Sequence, residues 1–385
     1  LKELTKKLNL LQGFIEQNDY KGYDPYDALK SPLFKLPFFK TTKILRFGAQ
    51  QVVKRFPINL RPLLLVPKGY NPVTLGLSIQ GYAYLSQVYP NQKEVYHRKI
   101  IFLVNELKTL IPKGFSGACW GYDFDWEARY AKIGAYQPTV VATGIISNAL
   151  YVAWEITRIK ECANLVESAA DFVLKDLKRS YRADTFCFSY SPFDEQSVFN
   201  ASMKGVRLLA QTYAITKNEK LKTEASAAAK FVIKKQNGDG SWGYSLASGG
   251  DWIDNYHTGY ILDCLDDYIN LCDDLAFKPT LEKGFQFYKN KFITKEGMPQ
   301  FYADKVYPID CTAAGQTLLT LTRFGEIDTA KSVASWMVKN MQNKKGGFYF
   351  RKYSTHTEKT TFMRWSNAWM FVGLAYLISQ TNPKV

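Results

Sequence analysis

Six times along this chain an apolar helix opens directly after a loop rich in aromatic and charged residues. The openings lie near Thr74, Pro138, Ser197, His257, Ile309 and Trp365, at intervals of 64, 59, 60, 52 and 56 residues. Each interval has room for two helices and one long loop, so the period predicts stacked helical hairpins. In the fourth unit Tyr260, Ile261, Cys264, Leu265, Tyr268, Ile269 and Cys272 recur at the three-and-four spacing of one helix face. Residues 278–293 supply its second helix. The pairs 74–89 with 93–111, 138–158 with 162–179 and 197–216 with 218–236 repeat the pattern. The last unit, 365–380, offers one helix only, and 39–56 is the candidate partner that would close the hairpins into a ring.

The expected architecture is therefore all-α, an (α/α)6 toroid of helical hairpins with short β-hairpins in the loops at one end. Alternating pieces FCFSYS (186–191) and GGFYFRKYS (346–354) are the strand candidates. No linker or low-complexity tract divides the chain. One domain over 1–385 is expected, with 1–38 as an N-terminal extension outside the ring and 39–385 as the ring itself.

Fifty Lys and Arg against 35 Asp and Glu give a net charge of +15, a field that concentrates anionic partners. Nucleic acid is not expected, because no helix-turn-helix, RRM or zinc-finger pattern appears. Lys220, Lys222, Lys230, Lys234 and Lys235 fall on an expected outer helix, where a solvated face accounts for them. The six cysteines show neither CxxC nor zinc spacing and read as buried thiols. There is no HExxH, no P-loop and no GxGxxG after a strand, so neither metal nor cofactor is expected. No apolar run reaches the length of a membrane span, and no signal-peptide pattern precedes the ring. A cytoplasmic location is the expectation, or a periplasmic one if a leader was trimmed ahead of Leu1. Nothing in the sequence sets an oligomeric state.

Aromatic residues make up 15% of the chain, and the loops hold more than their share. They read CWGYDFDWEARY (119–130), FCFSYSPFDE (186–195), GDGSWGYSLASGGDWIDNYH (238–257), MPQFYADKVYPID (298–310) and GGFYFRKYSTHTEKTTFMRW (346–365). All of them join an outer helix to the next inner helix, so they emerge at one end of the ring and line a shared cleft. Sugar rings present C–H faces to aromatics, and their hydroxyls and carboxylates need Asp, Asn and Arg. An anionic polysaccharide or oligosaccharide is thus the expected partner. Its expected contacts are Trp120, Asp123, Trp126, Arg129, Tyr190, Trp242, Trp252, Tyr307, His356, Arg364 and Trp365. Asp24 and Tyr26 of GYDPYDAL (22–29) join them if that turn-forming segment folds over the cleft; otherwise it only begins a short helix.

Two chemistries fit such loops. Hydrolysis of a glycosidic bond needs two carboxyl groups, and Asp125, Asp254 and Asp310 are the candidates. Trp126, Trp252 and Tyr256 stand beside the first two and would raise a carboxyl by desolvation. Asp310 sits at an expected helix start and reads equally as an N-cap. Elimination from a uronic acid, or its C5 epimerisation, needs a base and a cation instead. Tyr256 and His257 supply the base, and Arg129 or Arg364 would hold the carboxylate. Hydrolysis is the favoured expectation.

The hairpin ring with Trp- and Asp-rich loops resembles the α/α-toroid carbohydrate-active proteins, the six-hairpin glycosidases and related polysaccharide lyases. More narrowly, GYDPYDAL (22–29), WGYDFDWEAR (120–129) and FMRWSNAWMFVGLAYL (362–377) resemble bacterial proteins associated with exopolysaccharide and capsule biosynthesis. The resemblance implies glycan processing, by an enzyme or by a non-catalytic glycan-binding or assembly protein. It carries over no catalytic residue. KKQNGDGSWGY (234–244) is similar to the Gln–Trp repeat of terpenoid cyclases, and DCLDDY (263–268) to an Asp-rich ionising motif. That Gln–Trp motif occurs clearly once, and a solvated helix face accounts for the aspartates.

Overall fold

The computed structural model describes residues 1–127 and 132–381. Its helices are α1 (Lys2–Gln17), α2 (Pro37–Thr41) and α3 (Lys43–Arg55), followed by five hairpins. These are α4 (Pro72–Val88) with α5 (Lys93–Thr109), α6 (Val140–Thr157) with α7 (Lys160–Lys175), and α8 (Phe199–Thr216) with α9 (Glu219–Ile233). Then come α10 (Asn255–Cys272) with α11 (Lys278–Phe292), α12 (Cys311–Arg323) with α13 (Ile327–Met341), and a final α14 (Trp369–Thr381). The six inner helices α4, α6, α8, α10, α12 and α14 each pack on the next, and α14 returns to α4. The fold is the expected α/α toroid.

Hydrophobicity sorts the two layers. Every residue of α4 from Pro72 to Ser86 is buried, as a helix enclosed by neighbours on all sides requires. Outer helices bury one stripe, which in α7 includes Cys162, Leu165, Val166, Ala169, Phe172 and Val173. By length and composition α6 alone among the described helices would cross a bilayer, yet 72% of it is buried inside the ring. Three inner helices, α6, α8 and α10, turn into their outer partners through a single left-handed residue, Arg158, Lys217 or Asp273. Its amide returns to the carbonyl of Trp154, Tyr213 or Ile269, respectively.

The return loops are long and carry all the described strands. β1 (Trp126–Glu127) pairs with β2 (Lys132–Ile133), and β3 (Arg179–Arg182) pairs with β4 (Thr185–Phe188). β5 (Ile309–Asp310), β6 (Arg351–Lys352) and β7 (Thr357–Glu358) form one small sheet.

Ring closure corrects the sequence reading. The sixth outer position is filled by α1, not by 39–56. Leu4, Leu8, Leu11 and Ile15 form its buried stripe, and the helix packs on α13 and α14. A repeated contact fixes its register. Gln236, after α9, donates to the carbonyls of Gly240 and of Thr280 in α11. Gln342, after α13, donates to the carbonyls of Gly346 and of Lys7 in α1. Thus α1 stands to α13 as α11 stands to α9. Gly240 and Gly346 both have φ of 97°, and a Cβ there would collide with the backbone of Lys283 or Leu10.

On the far side Glu16 pairs with Lys99 of α5 and accepts from Tyr82, sealing the ring. The boundary at residue 38 therefore does not follow the architecture. Helix α3 buries Arg46, Gln50 and Val53, a face too polar for an apolar slot, and lies instead against β1 and the turn Asp27–Lys30.

The aspartates of DCLDDY are likewise not a solvated face. Asp263 is buried and accepts from Gln316 (2.7 Å) and Thr320 (2.9 Å), and Asp266 and Asp267 pair with Arg323. They bind α10 to α12. The Gln–Trp pair is structural too, since the Trp242 indole donates to the Val232 carbonyl at 3.1 Å.

Candidate active site

All inner helices begin at the loop end. Side chains of Asn71, Thr139, Asp254 and Asp310 cap α4, α6, α10 and α12 by accepting first-turn amides. The amides of Val140, Phe199, Asn255 and Cys311, each the first residue of its helix, go to the carbonyls of Tyr190, Tyr244, Phe301 and Phe350. Each aromatic loop is thereby tied to a neighbouring helix start.

The second residues of those helices, Val141, Asn200, Tyr256 and Thr312, converge on a central cavity of about 240 Å³. Trp365 joins them from the π-turn Met363–Ala368 that precedes α14. One turn deeper, Ile145, Tyr260 and Trp369 make the floor. Tyr122, Phe124, Trp126, Tyr190, Tyr244 and Trp252 supply the loop walls, and Tyr26 comes from the segment before α2. Past Trp252 and Tyr256 the cavity continues into a groove of about 660 Å³, edged by Lys54, Arg55, Arg351, Tyr353, His356 and Glu358.

His257 is the titratable group placed for chemistry. Its Nδ1 lies 2.8 Å from Asp254 Oδ2, while its own backbone amide donates to Asp254 Oδ1 at 2.9 Å. The cap residue of α10 thus also orients the imidazole, and Nε2 is the ring nitrogen left for a ligand. Aromatic rings of Tyr244, Trp252 and Tyr256 enclose it at 4.9, 5.2 and 4.1 Å.

Arg364 supplies the cavity's cation. Asp24 takes its Nε and Nη2 at 2.6 and 2.9 Å, and the plane stacks 4.7 Å from the Tyr122 ring. Burial opposes the charge, but Asp24 outweighs it and holds the guanidinium above its ordinary value. Asn200 is 2% exposed, and its Nδ2 has no partner among the described residues. A buried donor left open at a cavity wall is a ligand contact in waiting.

Burial pushes the hydroxyls of Tyr122, Tyr190, Tyr256 and Tyr260 above their usual range, and Asp254 raises Tyr256 further. These side chains are hydrogen-bond donors at neutral pH, not bases.

The remaining expected site residues divide clearly. Tyr26, Trp126, Tyr190, Trp252, Tyr256, His257, Arg364 and Trp365 line the cavity, and Asp254 and His356 border the groove. Asp310 is fully buried, accepting from Arg351 and Trp365 while capping α12. Asp24 is spent on Arg364. Asp123 accepts from Lys30 and Asn71, and Asp125 holds the Ala135 amide beside Arg46. Tyr307 packs on the core. Arg129 lies outside the described residues.

Trp120 and Trp242 are buried, each donating its indole N–H to an outer-helix carbonyl, that of Leu107 or Val232. The cavity belongs instead to Tyr122 and Tyr244, two residues on. Phe188 and Tyr190 repeat the same alternation, with the first ring in the core and the second in the cavity.

Below the floor, one turn after Asn200, lies Lys204. It is 1% exposed, with its Nζ 3.5 Å from the Tyr260 ring centre. Burial pushes its amine from 10.5 down to about 7, and Arg207 pushes the same way. The unfolded chain then holds this proton more tightly between those values, so stability from this group rises with pH from about 7 to 10.5. Below pH 7 the whole penalty is present. Lys204→Met should therefore stabilise the protein by about 2 kcal/mol at pH 6 and flatten that alkaline rise. Urea unfolding at pH 6 and pH 9 checks it, and a destabilised variant at pH 6 would refute it.

No group of three His, Cys, Asp or Glu among the described residues is arranged to hold a metal ion. No protein-family model and no curated protein matches the sequence. Solved structures do match, and the likeness is to (α/α)6 toroids of helical hairpins. Cellobiose 2-epimerase from Bacillus thermoamylovorans superposes with a TM-score of 0.63 at 12% identity, over 80% of this chain and 87% of that one. An unsaturated glucuronyl hydrolase from a Bacillus species gives 0.60 at 11%, over 96% and 94%. A D-mannose isomerase gives 0.58 at 14%, over 81% and 87%. Likeness at these identities is a likeness of fold.

Proposed function

We propose that this protein is a carbohydrate-active enzyme that moves a proton at a sugar carbon, in epimerisation, isomerisation or elimination. The observation that carries this reading is the lining of the cavity. Among the described residues no carboxylate lines the cavity itself, and of the two that border the groove beyond it Asp254 orients His257 and Glu358 is engaged by Thr360, whereas His257 does line it. Two-carboxylate hydrolysis, the favoured expectation from sequence, needs an acid and a base flanking the bond. Asp254 and Asp310 are committed to helix caps and ion pairs, and Asp125 stands outside the cavity.

In the proposed reaction His257 Nε2 takes a proton from the carbon next to a carbonyl or carboxylate. Negative charge then develops on that oxygen, where Arg364 and the open Asn200 amide would stabilise it. A proton from water on the opposite face gives the epimer, the imidazolium neutralising the hydroxide left behind. A proton returned by His257 to the neighbouring carbon gives the isomer, the adjacent hydroxyl becoming the carbonyl as its proton passes to the former carbonyl oxygen. Loss of the β-substituent gives an unsaturated sugar. Structural neighbours that are sugar epimerases and isomerases support the reading. The net charge and the cations Lys54 and Arg55 along the groove favour an anionic glycan. With the resemblance described above, they support a role in bacterial exopolysaccharide or capsule processing. Its six unpaired, buried cysteines fit a cytoplasmic location.

The test is incubation in D2O with neutral disaccharides, hexoses and uronate oligosaccharides, followed by NMR and by absorbance of unsaturated uronates. Carbon-bound deuterium at C2 or C5, or unsaturated product, is the expected result. New reducing ends with neither signature would mean hydrolysis and overturn the proposal.

A further inference from the structure

Residues 31–68 contain eight Lys and Arg and no Asp or Glu, although acidic residues are frequent elsewhere in the chain. The same stretch holds ten of the 21 large hydrophobic side chains exposed among the described residues. Leu36, Phe38, Ile44, Val52, Ile58 and Leu63 are each more than half exposed. Scattered exposed leucines need no explanation, but this concentration does.

Helix α3 shows why. Its amphipathic pattern is reversed relative to a helix that covers a core. The face toward the protein is polar: Arg46 Nε pairs with Glu127 at 3.0 Å, and Gln50 accepts from the Glu127 amide and donates to the Tyr26 carbonyl. Ile44, Phe47 and Val52, at helical spacing, form the outward face. Exposed Lys35 and Arg55 flank it in the sequence.

We propose that this face docks on an anionic lipid bilayer, holding the mouth of the cavity at the membrane surface. An anionic interface meets both halves of the pattern, acyl chains for the apolar side chains and headgroup charge for the cations. A second copy of the chain would bring cationic segments together with no acid between them. A nucleic acid would leave the isoleucines, valine and leucines without a partner. The docked element is attached to the site: Lys54 Nζ donates to the Tyr26 hydroxyl at 2.6 Å, and the Tyr26 ring lies 6.2 Å from that of Trp126. Both rings line the cavity. The inference does not depend on which reaction the cavity performs.

Co-sedimentation of the full chain with vesicles tests it, using phosphatidylcholine alone and phosphatidylcholine with about one-third phosphatidylglycerol. Binding to the anionic vesicles only, weakened by salt, is the expected result. The variants Ile44→Ser/Val52→Ser and Lys35→Glu should each lower that binding about tenfold or more, with unchanged thermal melting because these side chains are exposed. Failure to bind anionic vesicles overturns the proposal. So does binding that the variants leave intact. Concentration-dependent dimerisation without lipid, abolished by Ile44→Ser/Val52→Ser, would assign the face to a second copy and overturn it too.

Discussion

Replacing His257 with alanine is expected to lower carbon-bound deuterium exchange by about a thousandfold, within the range that a positioned acid–base group contributes. Saccharide affinity should change far less, because Trp252, Tyr256 and Arg364 still line the cavity. Asp254→Asn separates the two jobs of that carboxylate. Asparagine still caps α10, so the fold should persist, but it no longer holds the imidazole in one tautomer or stabilises its cation. A loss of about a hundredfold in exchange at nearly unchanged melting temperature is the predicted outcome. Wild-type exchange rates in His257→Ala would remove the imidazole from the mechanism.

The second large effect is expected at Arg364. Asp24 is 3% exposed and both its oxygens lean on this guanidinium. Arg364→Met would strand a buried carboxylate, at a cost of about 3–5 kcal/mol. Arg364→Lys keeps the charge but loses the paired geometry, and should cost less stability while still impairing turnover. Removing both charges, in Asp24→Asn/Arg364→Met, should recover a good part of the lost stability. Urea unfolding of the wild type, Asp24→Asn, Arg364→Met and the double variant gives the coupling directly. Strictly additive losses would show that the pair is not the link that holds the segment around Asp24 in place.

The toroid was legible because its signal is coarse: six returns of an apolar helix at similar spacing survive errors of several residues at each boundary. Ring closure was not legible from spacing alone. Both 1–19 and 39–56 are helix-length candidates, and only the pattern of burial separates them. The stripe Leu4, Leu8, Leu11 and Ile15 suits an apolar slot, whereas Arg46 and Gln50 do not.

Within the loops, aromatic richness located the cavity but picked the wrong ring in two cases. WGY occurs at both 120–122 and 242–244, and extended backbone sends alternate side chains to opposite faces. The larger indole found its N–H partner in the core, and the tyrosine was left for the cavity. Asn200 carried no compositional signal at all. It becomes visible only as the second residue of an inner helix, alongside Val141, Tyr256 and Thr312.

The contact between α1 and the last two helices also bears on how the molecule comes to exist. Five hairpins can form from neighbouring sequence as the chain emerges, since each needs only its own turn and the unit before it. The sixth cannot. Its outer helix precedes the five hairpins in the chain and its inner helix follows them, and the pair Asp24–Arg364 spans 340 residues. Until α14 arrives, the apolar stripe of α1 lacks one of the two helices that cover it, and Tyr26 has no Trp365 to meet. Closure of so long a loop is the slow, entropically costly step. The ring should therefore stay open until α14 docks, and the cavity, which takes Trp365 and Trp369 from this last segment, is complete only then.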